Sequence, residues 1–316
     1  MKYRQLGHWG VRLSVLGLGA WLTYGGRLRD MDLVKSIVRT AYEGGINFYD
    51  NADIYTRGQA EELMGEVLQD YPRHTLVMSS KVFWPMSDDI NDRGLSRKHI
   101  RESIAKSLQR MRTDYLDIYF AHRDDPSVSM EEIVTSFSQL IDEGKILYWG
   151  TSEWSAARFA EAVKFARSAG LHPPAVEQPQ YSMLYRERVE QEILPVTTPA
   201  GAGMVVWSPL AMGMLTGKYD DGIPDGSRFA KHDEFRTSLL TDINRQRVRE
   251  LKSLADDLGI TRSQLALAWI LRQPSITGAI IGATRPEHVT ASLGAETVEL
   301  TAQVLARIDA ILTESH

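Results

Sequence analysis

Four residues in the first 122 positions have side chains that together can deliver a proton: Asp50, Tyr55, Lys81 and His122. Three of them close extended apolar segments. Asp50 ends Ile46-Asn47-Phe48-Tyr49, Lys81 ends Thr75-Leu76-Val77-Met78-Ser79-Ser80, and His122 ends Tyr115-Leu116-Asp117-Ile118-Tyr119-Phe120-Ala121, while Tyr55 follows Asp50 by five residues. If those segments are parallel strands of one closed barrel, all four side chains meet at one mouth, where polar residues at strand C-termini read as catalytic. Reducing a carbonyl needs an acid for the developing alkoxide. A phenol, with a pKa of about 10, is a weak one on its own, and a nearby ammonium eases its ionisation. Lys81 is therefore assigned to assist Tyr55, Asp50 to hold Lys81 charged and in place, and His122 to hydrogen-bond and orient the substrate oxygen. Singly, each has an ordinary reading: a tyrosine at the core edge, a solvated lysine, a structural histidine. Four of them at successive strand ends favour chemistry on a carbonyl or alcohol.

The elements that must position these groups are legible along the chain. Strand-like and helix-like segments alternate, which argues for βα units and a parallel sheet. Eight strands are expected: Ser14–Ala20, Ile46–Asp50, Thr75–Lys81, Tyr115–His122, Leu147–Thr151, Ala175–Tyr181, Met204–Leu210 and Ala279–Ala283. Helices are expected at Asp32–Glu43, Ala60–Asp70, Arg97–Arg112, Met130–Asp142, Ala156–Ser168 and Glu187–Leu194, then about Asn244–Leu258, Arg262–Arg272 and a last one at Ala302–Leu312. Ser96 is a candidate N-cap, and Gly44 and Gly144 stand where left-handed backbone would end a helix. Eight strands with helical connections give a (β/α)8 TIM barrel. Tyr3–Leu6 and Val11–Leu13, around Gly7-His8-Trp9-Gly10, read as a β-hairpin plugging the barrel floor. A stretch from Ala211 to about Leu240 has no clean periodicity, and a loop that long in a compact domain is usually functional.

Composition narrows the classes. The 316 residues, 43% apolar, suit one barrel domain spanning 1–316. The net charge of −5 gives no footprint for nucleic acid. Cysteine is absent, which excludes disulfides and thiol chemistry. No apolar run approaches a membrane span, and Met1-Lys2-Tyr3-Arg4-Gln5 opens no signal-peptide core, so no membrane insertion and a cytoplasmic location are expected. The eight histidines show no H-x-H or H-E-x-x-H spacing, so no metal site is expected.

The motifs carry a resemblance to the aldo-keto reductases over nearly the whole chain. It rests on Gly17-Leu18-Gly19-Ala20-Trp21, Phe48-Tyr49-Asp50-Asn51-Ala52-Asp53-Ile54-Tyr55 and Asp117-Ile118-Tyr119-Phe120-Ala121-His122-Arg123-Asp124-Asp125-Pro126. Tyr148-Trp149-Gly150-Thr151-Ser152, Val206-Trp207-Ser208-Pro209-Leu210 and Ile280-Ile281-Gly282-Ala283 extend it. Within that superfamily the chain is most similar to the voltage-gated potassium-channel β-subunit branch and its soluble bacterial relatives, through Met1-Lys2-Tyr3-Arg4, Arg93-Gly94-Leu95-Ser96-Arg97-Lys98-His99-Ile100 and Gly217-Lys218-Tyr219-Asp220. The resemblance implies NADPH/NADP+ bound without a dinucleotide fold, and no G-x-G-x-x-G occurs in the chain. It implies that Tyr55 is the general acid, helped by Lys81 and Asp50, with His122 beside the carbonyl. It places Ser152 and Gln178 at the nicotinamide carboxamide, and Trp207, Ser208, Pro209 and Leu210 along the cofactor, with Trp21, Asp50 and Gly282 also in its site. Lys218 and Arg228 suit the pyrophosphate, and Thr284 and Arg285, with His288 nearby, suit the 2′-phosphate, a group that an arginine fork binds well. Tyr181 and the Trp207 segment both remain candidates for the aromatic against the nicotinamide ring. Trp21, Trp84 and Trp154 follow strands one, three and five and are assigned to the substrate wall.

The pattern has departures. Position 122 is His where the channel-subunit branch commonly has Asn, which favours catalysis over sensing. Glu153 follows Ser152 where relatives place Asn or Arg, and no sequence-level account explains it. Ala291-Ser292 replaces a Glu-Asn pair against the adenine, and His288 stands where Arg or Gln is frequent. Three functions compete: an NADPH-dependent reductase of aldehydes and ketones, a nucleotide-sensing regulatory subunit of a membrane channel or transporter, and a dehydrogenase running toward oxidation. A homo-oligomer, tetramer or octamer, is compatible with each.

Overall fold

The computed structural model describes residues 1–26 and 28–313. An antiparallel hairpin, β1 (Tyr3–Leu6) and β2 (Trp9–Ser14), precedes the barrel. The barrel strands are β3 (Leu16–Gly19), β4 (Phe48–Asp50), β5 (Val77–Val82), β6 (Leu116–Ala121), β7 (Ile146–Ser152), β8 (Val176–Gln178), β9 (Gly203–Val206) and β10 (Gly278–Ile281). They close in the order β10-β3-β4-β5-β6-β7-β8-β9, every pair parallel. Between strands run α1 (Met31–Glu43), α2 (Gln59–Leu68), α3 (Arg97–Arg110), α4 (Met130–Asp142), α5 (Ala156–Ala169) and α6 (Leu194–Ala200). After β9 come α7 (Arg228–Lys231), α8 (Asp233–Leu239), α9 (Asp242–Asp257) and α10 (Arg262–Leu271); after β10 come α11 (Pro286–Leu293) and α12 (Ala302–Thr313). This is the expected (β/α)8 barrel with its N-terminal hairpin.

Local chemistry sets the elements. In α1 the Asp30 carboxylate accepts from the Asp32 and Leu33 amides, and Val34, Ile37, Val38 and Ala41 form the buried stripe of a 3.6-residue period. The hydroxyl of Ser96 accepts from the His99 amide at the start of α3, as expected. Thr261 and Gln264 make a reciprocal capping box on α10. The side chains of Leu6 and Leu13 cluster with Phe48, Val77, Ile118, Val205 and Ile280 inside the barrel. The hairpin therefore plugs the floor, and the His8 amide donates to the Gly201 carbonyl at 2.9 Å to hold it there. Gly7 has φ of +61°, and a Cβ on it would sit 2.2 Å from that carbonyl oxygen, so no other residue fits the turn against β9.

Several expectations shift. The strand expected at Ser14–Ala20 splits, because Ser14 closes the hairpin and Leu16 opens β3. β8 stops at Gln178, before Pro179, which has no amide hydrogen to donate. β9 stops at Val206, so Ser208, Pro209 and Leu210 form a turn rather than a strand end. The helix expected at Glu187–Leu194 starts at Glu187, passes through a π-helical turn at Val189–Ile193 and continues as α6, where Pro195 has no amide hydrogen to donate to the ladder. The aperiodic stretch after β9 holds a 3-10 turn at Ala211–Thr216 and the two short helices α7 and α8. Gly44 has φ of −72°, and the left-handed residue is Gly45 at +86°; Gly144 is left-handed at +67°.

Candidate active site

Strand register brings Asp50 and Lys81 together. Asp50 pairs with Ser79 across β4 and β5, which places it one pleat from Lys81. Side chains alternate along a strand, so Ser79 and Lys81 face the barrel axis while Ser80 faces outward and donates to Glu61 of α2 at 2.5 Å. The Lys81 ammonium is 0% exposed. It donates to Asp50 Oδ2 at 2.6 Å, to the Asn51 carbonyl at 2.6 Å and to the Tyr55 hydroxyl at 3.2 Å, using its three protons. The other carboxylate oxygen of Asp50 accepts from Ser79 Oγ at 2.9 Å and Gln178 Nε2 at 3.0 Å. The carboxylate thus has three donors and the ammonium three acceptors, so the buried pair leaves no polar atom unmatched.

Tyr55 is half-buried, and its ring meets the His122 ring edge-on at 5.8 Å between centroids. Burial first, and the Asp50 charge second, raise the phenol well above its ordinary 10, against the Arg123 charge, which lowers it. The balance differs from the sequence expectation of an acidified phenol: at neutral pH Tyr55 holds its proton, and Lys81 is placed to stabilise the phenolate after the proton leaves. Burial also lowers the Lys81 ammonium, countered by Asp50. His122 is 6% exposed, and burial, then the Lys81 and Arg123 charges, push it well below 6.5, so the imidazole is neutral. Its Nδ1 has no hydrogen-bond partner among the described residues. The four residues expected to meet at the mouth do so.

The expected cofactor residues form two further groups. Ser152 Oγ donates to the Gln178 carbonyl at 3.0 Å, and the Gln178 amide reaches Asp50, so β7 and β8 join the central cluster. Trp207 stands edge-on to Trp21 at 5.3 Å, and Trp21 to Phe235 of α8 at 5.8 Å. Ser208, Ala211 and Met212 all have φ between 47° and 56°, a run of left-handed backbone that curls the chain after β9. The Ser208 hydroxyl accepts from the Met212 amide at 3.1 Å, and Pro209 and Leu210 complete the turn. Lys218 lies against Gly213 within this curl. Arg228 reaches the Met212 sulfur at 3.7 Å, and a Cβ on Gly282 would sit 3.2 Å from its guanidinium, so Arg228 spans from the curl to the end of β10. Beyond β10, Arg285 Nε donates to His288 Nε2 at 3.0 Å, and His288 Nδ1 lies 3.3 Å from Thr284 Oγ1.

Trp154 departs from the sequence reading, and Tyr181 and Glu153 gain partners that the sequence did not reveal. The Tyr181 hydroxyl donates to Glu190 at 2.7 Å and its ring stacks on Trp269 of α10, so it faces away from the mouth. Trp154 is 0% exposed and does not line the mouth. Trp84, 37% exposed, does, with its ring 6.3 Å from His122. Glu153 adopts left-handed φ of 60° and accepts from the Gln180 amide at 2.5 Å, Arg188 at 2.7 Å and the Trp207 indole at 2.8 Å. The unexplained acid therefore anchors the edge of Trp207. Sequence reasoning missed Ser79, although its two-residue offset from Lys81 announces a shared face. It also missed Arg188 and Glu177, for which no local pattern signals, and it singled out Glu153 without finding its role.

Glu177 points outward from β8, is fully buried, and is pushed up to about 8 mainly by burial. Its carboxyl accepts from the Trp154 amide and pairs with Thr151 Oγ1. Its ordinary value is 4.5, so between about 4.5 and 8 the folded state holds a proton that the unfolded chain has lost. The stabilisation is complete below 4.5 and is lost as pH rises to about 8. Glu177→Gln keeps both contacts without a titration. The slope of unfolding free energy against pH between 6 and 8 should flatten by up to about 1.4 kcal/mol per pH unit, read from urea unfolding at each pH; parallel slopes for the two proteins would contradict it.

The aldo/keto reductase family profile matches residues 15–313. Among curated proteins, a probable voltage-gated potassium channel subunit beta of Arabidopsis thaliana is 43% identical over 99% of this chain and 97% of its own length. A protein of the same description from Oryza sativa subsp. japonica is 41% identical over 99% and 97%. A putative voltage-gated potassium channel subunit beta of Schizosaccharomyces pombe is 42% identical over 99% and 93%. The match of the profile to nearly the whole barrel, on top of the Asp50, Tyr55, Lys81 and His122 cluster, makes this chain a member of the aldo/keto reductase family.

Proposed function

We propose that the chain is an oxidoreductase that reduces aldehydes and ketones to alcohols with NADPH. The observation that carries this is the Lys81 ammonium bound at once to Asp50 and to the Tyr55 hydroxyl beneath a neutral His122. Tyr55 Oη gives its proton to the carbonyl oxygen. The ammonium 3.2 Å away stabilises the phenolate that remains, and Asp50 fixes the ammonium. A neutral His122 can donate one ring N–H to the same oxygen and orient the carbonyl. NADPH, when bound, supplies the hydride.

The side chains present suit that cofactor. Trp207 offers an aromatic held at its edge by Glu153, Ser152 and Gln178 offer polar groups beside the central cluster, and Lys218 and Arg228 offer cations in the curl after β9. Thr284 and Arg285 precede α11, whose N-terminus favours an anion. Arg285 is mostly exposed, which weakens its charge through screening. Arg285→Ala should therefore raise the Kd of NADPH by about tenfold and leave that of NADH nearly unchanged, measured by fluorescence titration; equal losses would remove Arg285 from the 2′-phosphate site. The reading takes 1–316 as one barrel domain in the cytoplasm, and a homo-oligomer, tetramer or octamer, is compatible with it.

The names of the Arabidopsis, rice and fission-yeast proteins favour a second reading, a nucleotide-sensing subunit of a membrane channel or transporter. No described helix is long and apolar enough to cross a membrane, so such a role would need a separate partner. NADPH consumption with 4-nitrobenzaldehyde separates the two. Multiple turnovers support the reductase, while tight NADPH binding with no turnover on any of a panel of aldehydes overturns it in favour of the sensor.

A further inference from the structure

Arg123 follows His122 at the mouth. The loop after β6 carries three charges in a row, Arg123, Asp124 and Asp125, and the two acids are committed elsewhere. Asp124 forks to Arg158 at 2.9–3.1 Å. Asp125 accepts from the Leu95 amide and from Ser127. The other nearby acids are committed too: Glu153 holds Arg188 and Trp207, and Glu177, behind β8, holds Thr151 and the Trp154 amide. Arg123 is left with one hydrogen bond, from NH1 to the His122 carbonyl at 2.5 Å, and with the face of Trp84 at 5.5 Å. Among the described residues it has no ion pair. It stands next to His122 in the chain, and its guanidinium lies against Trp84, whose ring is 6.3 Å from His122, which puts it beside the reacting centre; its charge bears on Tyr55, Lys81 and His122 alike.

A half-buried guanidinium with no ion pair of its own, countered chiefly by the Glu153 charge beyond ion-pair distance, is costly unless something completes it. We propose that Arg123 is a specificity-determining residue that binds a carboxylate carried by the substrate, so that the preferred substrates are small aldehydes bearing a carboxylate a few atoms from the carbonyl. The Trp84 ring, 6.3 Å from His122, offers the intervening carbons an apolar surface, and the Arg123 guanidinium lies 5.5 Å from its centre. A carboxylate fits better than a phosphate dianion. One fork with its remaining N–H donors matches two oxygens and one charge, and the neighbouring cations Lys81 and Arg188 are already bound to Asp50 and Glu153.

This inference rests on the reductase reading, and the test keeps the two apart. kcat/KM is measured for 4-carboxybenzaldehyde and 4-nitrobenzaldehyde with the wild type, Arg123→Lys and Arg123→Met. Wild type should favour the carboxylate by about ten- to a hundredfold. Arg123→Lys should retain part of that ratio, and Arg123→Met should lose it. The ratio is the readout because losing the contacts to Trp84 and the His122 carbonyl affects both substrates. Equal kcat/KM for the two aldehydes with the wild type overturns the proposal and leaves the reductase standing. If the wild type reduces neither, the reductase reading fails, and quenching of tryptophan fluorescence by benzoate but not by benzamide would still support the anion site; no difference between the two would remove it. The wild-type comparisons decide the matter if a variant does not fold.

Discussion

Tyr55→Phe lowers turnover with 4-nitrobenzaldehyde by about a thousandfold or more, while NADPH binds and unfolding free energy changes by less than about 1 kcal/mol. The reason lies in what the hydroxyl touches. Its hydrogen bond is the one from Lys81 at 3.2 Å, and Lys81 keeps Asp50 and the Asn51 carbonyl without it. The phenylalanine ring retains the edge contact with His122 and the place beneath the ammonium, 4.9 Å from the ring centre. The substitution therefore removes a proton and little else. Because burial holds the phenol well above its ordinary value, wild-type turnover should not fall as pH rises through the neutral range. A mutant with more than about a tenth of the wild-type rate would show that another group supplies the proton. His122 cannot replace it easily, since burial keeps the imidazole neutral.

How much of this could be read from residues alone varies with the length of the signal. The barrel was readable because alternating strand and helix patterns recur along the chain, and the four catalytic candidates because three of them end such strands. Strand ends were less readable where proline or strained backbone intervenes. Pro179 stops β8 early, and the left-handed run at Ser208, Ala211 and Met212 turns residues expected in a strand into a curl. Trp154 and Tyr181 show the limit for side chains. A residue just past a strand can turn to the mouth or to the surrounding helices, and that choice depends on a distant partner: Trp269 for Tyr181, Arg158 for Trp154. Glu153 was opaque for the same reason, since its three donors come from positions 180, 188 and 207. The freedom of Arg123 was hidden as well, because it is defined by where Asp124 and Asp125 are already engaged.

Lys81→Met should cost both catalysis and stability, and the stability loss identifies its cause. The methionine fills most of the lysine volume but leaves the Asp50 carboxylate, 3% exposed, facing an apolar side chain. Ser79 and Gln178 still donate to Oδ1, whereas Oδ2 loses the ammonium. Removing one partner of a buried ion pair costs about 3–5 kcal/mol, because the other charge stays behind. If that charge is the cause, adding Asp50→Asn should recover a large part of the loss, since a neutral amide keeps an acceptor for Ser79 and costs far less to bury. If the cause is packing, the second substitution should add to the damage. Urea unfolding of wild type, both single mutants and the double mutant decides between these. Turnover should follow neither pattern: Lys81→Met removes the group that stabilises the Tyr55 phenolate, and neutralising Asp50 does not replace it. A double mutant that regains stability yet remains inactive would separate the structural role of the Lys81–Asp50 pair from its role in proton transfer, and recovery of activity along with stability would show that Lys81 matters to the reaction only through folding.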